Sequence, residues 1–149
     1  FIGDDRFVMF LGDNVIQGGI SPLIRQFAES SWNSQIVLKR VPNPSSFGVA
    51  ELNADGSIKR LVEKPKNPPS PFAVTGIYFY DNRVFEICRT LKPSHRNELE
   101  ITDVNNDYLH RGQLTHDILD GWWTDAGTFE SLHRASGYVA QGGANHLKA

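Results

Sequence analysis

With a single cysteine, Cys88, the sequence cannot close an internal disulfide, which fits a reducing compartment such as the cytoplasm. No apolar run approaches the roughly 20 residues that a membrane-spanning helix needs. Nor does a basic segment precede an apolar one at the start, as it would in a signal peptide. Charge of neither sign dominates. A formal net charge of -2 gives no electrostatic footing on nucleic acid or an anionic membrane. The five histidines share no pattern, and no Cys/His group has zinc spacing. A Gly-x-Ser-x-Gly elbow is absent, as are the Gly-x-Gly-x-x-Gly and Walker loops.

What is present suits one globular domain or part of a larger one: 149 residues, 40% hydrophobic and 21% charged. The chain opens at Phe1 rather than Met, and the tail Gln141-Gly-Gly-Ala-Asn-His-Leu-Lys-Ala149 breaks helical periodicity. The start reads as that of a segment cut from a longer protein, and the tail as frayed or truncated.

Periodicity predicts alternating elements. Arg6–Leu11 has no polar alternation and reads as a buried strand. Ser21-Pro22 offers an N-cap and a first-turn proline to a helix that turns Leu23, Ile24, Phe27 and Ala28 inward. Gln35–Val41 reads as a strand. Val49–Leu52 and Ile58–Val62 flank Asn53-Ala-Asp-Gly56, a strong hairpin signal. Four prolines make Lys64–Pro71 a loop. Phe72–Tyr80 is β-branched and aromatic, hence a strand, interrupted by Gly76. Asp81 can cap a helix through Leu91 with Val84, Phe85, Ile87, Cys88 and Leu91 inward. A helix over Thr102–Arg111 ends at Gly112, and Leu114–Leu119 is a short strand. Thr128 caps a last helix whose inner face is Phe129, Leu132, Ala135 and Val139. Strands alternating with helices imply an α/β layer structure, and the hairpin implies a mixed sheet.

Three acidic or charged stretches carry candidate chemistry. The apolar run Phe7–Leu11 stops on Gly12-Asp13-Asn14. In an open α/β sheet ligands gather beyond the carboxyl ends of strands. A carboxylate there suits a divalent cation carrying phosphate oxygens, although an Asx-turn accounts equally for Asp13-Asn14. In Gly121-Trp-Trp-Thr-Asp-Ala-Gly-Thr128, Asp125 would supply a second carboxylate, and Trp122 and Trp123 could wall a sugar or base; taken alone they read as a turn and core. Leu61-Val-Glu-Lys-Pro65 delivers Glu63 and Lys64 to one edge. Their side chains should diverge, since neighbours in a strand face opposite ways. Lys64 could meet a phosphate as a point charge and Glu63 could accept from sugar hydroxyls; a plain surface pair fits the two residues as well. Gly48 and Gly76 lie at or inside strands, where either a bulge or a close approach to the backbone explains them.

Leu11-Gly-Asp-Asn14, Phe47-Gly-Val49, Val62-Glu-Lys-Pro65, Val74-Thr-Gly-Ile-Tyr78, Glu98-Leu-Glu-Ile-Thr-Asp103 and Trp123-Thr-Asp125 follow one another in a fixed order. That series resembles the sugar-1-phosphate nucleotidyltransferases, most closely the glucose-1-phosphate thymidylyltransferases, from Phe7 to about Val139. The resemblance implies a Rossmann-like, mixed but mainly parallel sheet flanked by helices, incomplete at its N-terminus. It implies transfer of a nucleotide from a nucleoside triphosphate to a sugar 1-phosphate, releasing pyrophosphate, with dTTP and glucose 1-phosphate as the expected pair. Asp13 and Asp125 would hold Mg²⁺, with Lys64 on the sugar phosphate and Glu63 on the hydroxyls. Gly48, Val74, Gly76, Tyr78 and Trp123 would line the sugar pocket, and Leu11 and Gly12 would seat the nucleotide. A homo-oligomer is also implied. The family's opening Gly-x-Gly-x-Arg-Leu loop lies outside this chain, so the expectation is a sugar-binding half that is inactive alone. Uridylyl or guanylyl transfer, sugar-phosphate or nucleotide-sugar binding without turnover, or a strand-swapped oligomer are the alternatives.

Overall fold

The computed structural model describes residues 2–141. In chain order the elements are β1 (Phe7–Phe10), β2 (Asn14–Ile16), α1 (Ser21–Glu29), β3 (Ser34–Arg40), β4 (Gly48–Leu52), β5 (Ile58–Glu63), β6 (Phe72–Tyr80), α2 (Val84–Thr90), α3 (Ile101–His110), β7 (Leu114–Ile118), β8 (Trp123–Asp125) and α4 (Phe129–Ala140). No helix among them is long and apolar enough to cross a membrane.

Strand β6 organises the rest. Its run of Val, Thr, Ile and aromatics is buried from Ala73 to Tyr80, as a strand covered on both faces must be. One edge pairs along its length with β3, which continues to β7; the other edge is shared by β1 and β4, with β5 outermost. Helices cover both faces. On one side Ile36, Leu38, Tyr78 and Tyr80 pack with Val84 and Ile87 of α2 and Val104 and Tyr108 of α3. On the other, Val37, Ile77 and Phe79 meet Phe27 of α1. Both layers follow from period-two alternation along β3 and β6.

The expected α/β class with a mixed sheet flanked by helices is what the chain adopts. The sheet is not mainly parallel, however. Among the described residues β3–β7 is the parallel pairing, whereas β6 runs against β1, β3 and β4, and β4 against β5. β4 and β5 form a hairpin, and α2 and α3 carry the chain from β6 to β7, which runs against β6 and alongside β3.

Several local expectations need correction. β1 is half-buried with Phe10 exposed, because its second edge has no partner among the described residues. Ser21 lies inside α1, and Ile20 stands at the cap without a side-chain bond. Of that helix only Phe27 is buried, with Ile24 and Ala28 exposed. β6 runs through Gly76 as one strand, but its register with β3 shifts there, from Ile36 opposite Tyr78 to Leu38 opposite Val74, so the expected interruption is a bulge rather than a break. Asp81 serves the start of α2 by accepting from Arg83 N at 3.2 Å, but Phe85 and Cys88 are exposed. In α4, Thr128 does cap through a reciprocal bond with Ser131, yet Phe129, Leu132 and Val139 face solvent and only Ser131 and Ala135 are buried. The helix rests on the narrow β8 rather than on the broad sheet, so small residues make the contact. The expectation for the tail beyond Gln141 lies outside the described residues.

Candidate active site

β1 and β4 part company along β6, and the cleft opens where they do. β1 covers Ile77–Tyr80 and β4 covers Phe72–Ala73. That leaves Val74–Gly76 of the same edge without a strand partner beyond the bond from Leu11 N to Gly76 O. A cavity of about 260 Å³ lies there. Leu11, Asp13, Gly48, Glu63, Lys64, Val74, Gly76, Tyr78, Trp123 and Asp125 all line it. Of the residues expected from sequence, Gly12 and Trp122 stay outside: Gly12 has nothing within 4 Å of where its Cβ would be, and Trp122 stacks on Tyr138 at 4.7 Å.

Two short strands bring the distant aspartates together. β2 pairs antiparallel with β8, with Asn14 opposite Asp125 and Ile16 opposite Trp123. Ala126 N donates to Asp13 O at 2.6 Å, closing the turn. A Cβ on Gly127 would sit 3.2 Å from Asp125 Oδ2 and 3.7 Å from Asp13 Oδ2, so both carboxylates face one point. Two hard oxygen donors in that arrangement fit a small divalent cation that draws its other ligands from phosphate and water. Among the described residues no group of three or more His, Cys, Asp or Glu could hold an ion without such help.

Asn14 is the hub. Its Oδ1 accepts from Gly76 N at 2.9 Å and from Trp123 Nε1 at 2.8 Å, while Nδ2 donates to Asp13 Oδ1 at 2.8 Å. The amide therefore satisfies the edge N–H that no strand reaches, fixes the indole, and orients one carboxylate. Gly76 is required for this approach: a Cβ there would lie 2.7 Å from Asn14 Cγ. The glycine reports a close approach and a bulge together, since the β3–β6 register also shifts here, with Val37 facing Thr75, Gly76 and Ile77.

On the opposite wall Glu63 ends β5. Thr102 Oγ1 donates to its Oε2, and Arg96 Nη1 lies 3.5 Å from its Oε1. Lys64 follows with a φ of 38°, in the left-handed region, which is costly for a residue with a Cβ and more so before proline. That twist ends the strand and overturns the expectation that the two side chains diverge. Both line the cleft, with Lys64 Nζ 3.9 Å from Glu63 Oε1. Burial, then the Glu63 and Asp13 carboxylates, push the Tyr78 phenol far above its ordinary value, so it stays neutral. Phe47 meets Trp123 edge-on at 5.1 Å.

Asn14, Ser46, Phe47, Ile101 and Thr102 also line the cleft, and none was singled out for the site from sequence. Thr102 and Arg96 reach Glu63 only through the fold. Asn14, Phe47, Ile101 and Thr102 all lie inside the ordered motifs, so membership of those motifs is the signal that could have found them.

Residues 1–142 match a family model described as nucleotidyl transferase. The chain is 48% identical to a glucose-1-phosphate thymidylyltransferase of Mycolicibacterium smegmatis, over 93% of this chain and 49% of that protein. One of Neisseria meningitidis is 44% identical over the same shares. Among solved structures, a candidate glucose-1-phosphate thymidylyltransferase of Bacillus anthracis, in complex with sucrose, superposes with a TM-score of 0.84 at 48% identity, covering 91% of this chain and 55% of that one. A UDP-glucose pyrophosphorylase complexed with UDP-glucose gives 0.85 at 25% identity, covering 95% and 58%. The chain spans about half the length of the curated relatives it matches.

Proposed function

The chain belongs to the nucleotidyl transferase family, and from that premise we propose that its cleft binds a sugar 1-phosphate for transfer of a nucleotide from a nucleoside triphosphate. The observation that carries this reading is the convergence of Asp13 and Asp125 on one point of a cleft that Glu63 and Lys64 also line. Glucose 1-phosphate and dTTP are the proposed pair, supported by thymidylyltransferases at 44–48% identity against 25% for the uridylyl-type structure.

In the proposed reaction a phosphate oxygen of the sugar attacks the α-phosphorus of the triphosphate. That P–O bond forms as the bond to the bridging oxygen breaks, and pyrophosphate leaves. No protein nucleophile is required, and positioning with charge compensation supplies the catalysis. Lys64 holds the sugar phosphate as a compact charge. Glu63, kept in orientation by Thr102 and Arg96, accepts from hydroxyls. Val74, Tyr78 and Trp123 wall the ring, and the backbone around Gly48 and Gly76 allows close approach. Asp13 and Asp125 would hold Mg²⁺, which when bound offsets the charge that gathers on the phosphates.

The test is tryptophan fluorescence of the chain titrated with glucose 1-phosphate and dTDP-glucose, with and without Mg²⁺. Release of pyrophosphate from dTTP is followed in parallel. Saturable binding lost in Lys64→Ala, with an Mg²⁺ dependence lost in Asp125→Asn, supports the assignment. A folded chain with no response to either ligand sinks it. Binding without pyrophosphate release would leave a sugar-phosphate binding unit whose turnover needs the rest of a longer protein.

A further inference from the structure

Asp125 and Trp123 lie on an element with little of its own to hold it. β8 has three residues and pairs, among the described residues, with the three-residue β2 in a sheet separate from the main one. An isolated two-stranded ribbon is marginal at best. Something must fix it to the rigid sheet if the two carboxylates are to meet.

Ile16 of β2 shares a buried cluster with Val37, Ile77 and Phe79, with Trp123 packed against it, and two polar side chains add directional anchors. Asn14 reaches β6, as described. The other is Lys39, near the end of β3. Its Nζ donates to Leu119 O at 2.9 Å and to Gly121 O, the carbonyls of the turn that leads from β7 into β8. Leu119 N in turn donates to Leu38 O at 2.8 Å, extending the β3–β7 ladder one step beyond β7. The turn is tight. Gly121 has a φ of 72°, and a Cβ on it would lie 2.6 Å from Gln17 Oε1. Gln17 then locks onto the next residue, its N donating to Trp122 O at 2.9 Å and its Oε1 accepting from Trp122 N at 3.1 Å. Lys39 is half-buried, and among the described residues it has no carboxylate partner. Its charge is spent on carbonyls, where charge-assisted bonds are stronger than neutral ones. It does not line the substrate cleft.

We propose that Lys39 is a positioning residue for the proposed transfer site: by gripping the Leu119 and Gly121 carbonyls it sets where β8 presents Trp123 and Asp125. This rests on the reading of the cleft as a sugar-phosphate and cation site. Lys39 lies outside the lining of the cleft and acts through the turn.

The experiment compares wild type, Lys39→Met and Lys39→Arg at a temperature where each is fully folded. Amide hydrogen exchange is read at Gln17, Trp122 and Ala126, and Mg²⁺-dependent dTDP-glucose affinity by fluorescence. Lys39→Met is expected to speed exchange at those three amides, to leave β6 amides unchanged, and to weaken affinity about tenfold, the usual scale for loss of an outer-shell partner. Lys39→Arg, which keeps the donors, should restore most of both. Unchanged exchange and affinity within twofold in Lys39→Met would overturn the proposal, as would uniform acceleration across the sheet, which marks a merely structural role. If wild type itself does not bind dTDP-glucose, the reading of the cleft fails, while the exchange data still decide whether Lys39 holds the turn. Should Lys39→Met not fold, Lys39→Gln carries the same comparison.

Discussion

Replacing Gly76 with alanine tests the packing on which the cleft depends. The added Cβ would sit 2.7 Å from Asn14 Cγ and 3.0 Å from Oδ1, so the Asn14 side chain must leave. Its departure breaks three bonds at once: from Gly76 N, from Trp123 Nε1 and to Asp13 Oδ1. Overpacking costs roughly 1–3 kcal/mol and an orphaned buried N–H roughly another 1–3. Gly76 is buried in β6, and we expect a loss of about 3 kcal/mol in urea unfolding. Because Asp13 and Trp123 lose their common anchor, dTDP-glucose affinity should fall with it. The double variant Gly76→Ala/Asn14→Ala isolates the cause. It removes the clash, so its destabilisation should be smaller than the sum of the single losses by 1 kcal/mol or more, on the order expected for residues in direct contact. A loss under about 0.5 kcal/mol in Gly76→Ala, the size of an ordinary surface change, would refute the reasoning. So would strict additivity in the cycle.

Further outcomes follow from the same geometry. Lys64→Gly and Lys64→Ala should both lose sugar-phosphate binding in titration. In chemical unfolding the glycine variant should be more stable than the alanine variant by about 1 kcal/mol, because only it relieves the positive φ. Thr102→Val removes the hydroxyl that donates to Glu63 while keeping shape. It should weaken sugar binding severalfold and cost about 1 kcal/mol of stability, the scale of one hydrogen bond. Burial lowers the His116 imidazole below its ordinary value, against a smaller opposing effect of Asp117. The unfolded chain therefore binds the proton more readily, so stability is full above the unfolded value near 6.5 and declines as pH falls through it. Unfolding curves from pH 7.5 to 5 should show that decline in wild type and a smaller one in His116→Gln.

Sequence alone carried much of this protein. Spacing and apolar runs marked most strands and helices, since a buried strand such as Phe72–Tyr80 has to be β-branched and aromatic along its length. The order of short motifs pointed to ten of the residues that line the cleft. Periodicity and spacing by themselves could not give what depends on one element meeting another, and only the resemblance paired Asp13 with Asp125. Asp13 and Asp125 are far apart in the chain, and only the β2–β8 pairing makes them neighbours. Glu63 and Lys64 read as diverging because strand alternation assumes a regular backbone, and the left-handed turn at Lys64 breaks it. The apolar stripe of α4 read as inward because periodicity shows which residues share a face, but not what lies opposite that face. Phe129, Leu132 and Val139 face solvent because the described fold sets nothing against them. Arg96, Thr102 and Lys39 act through carboxylates and carbonyls that are distant in sequence. A side chain's local pattern records its own burial, whereas its partners are chosen by the packing of the sheet.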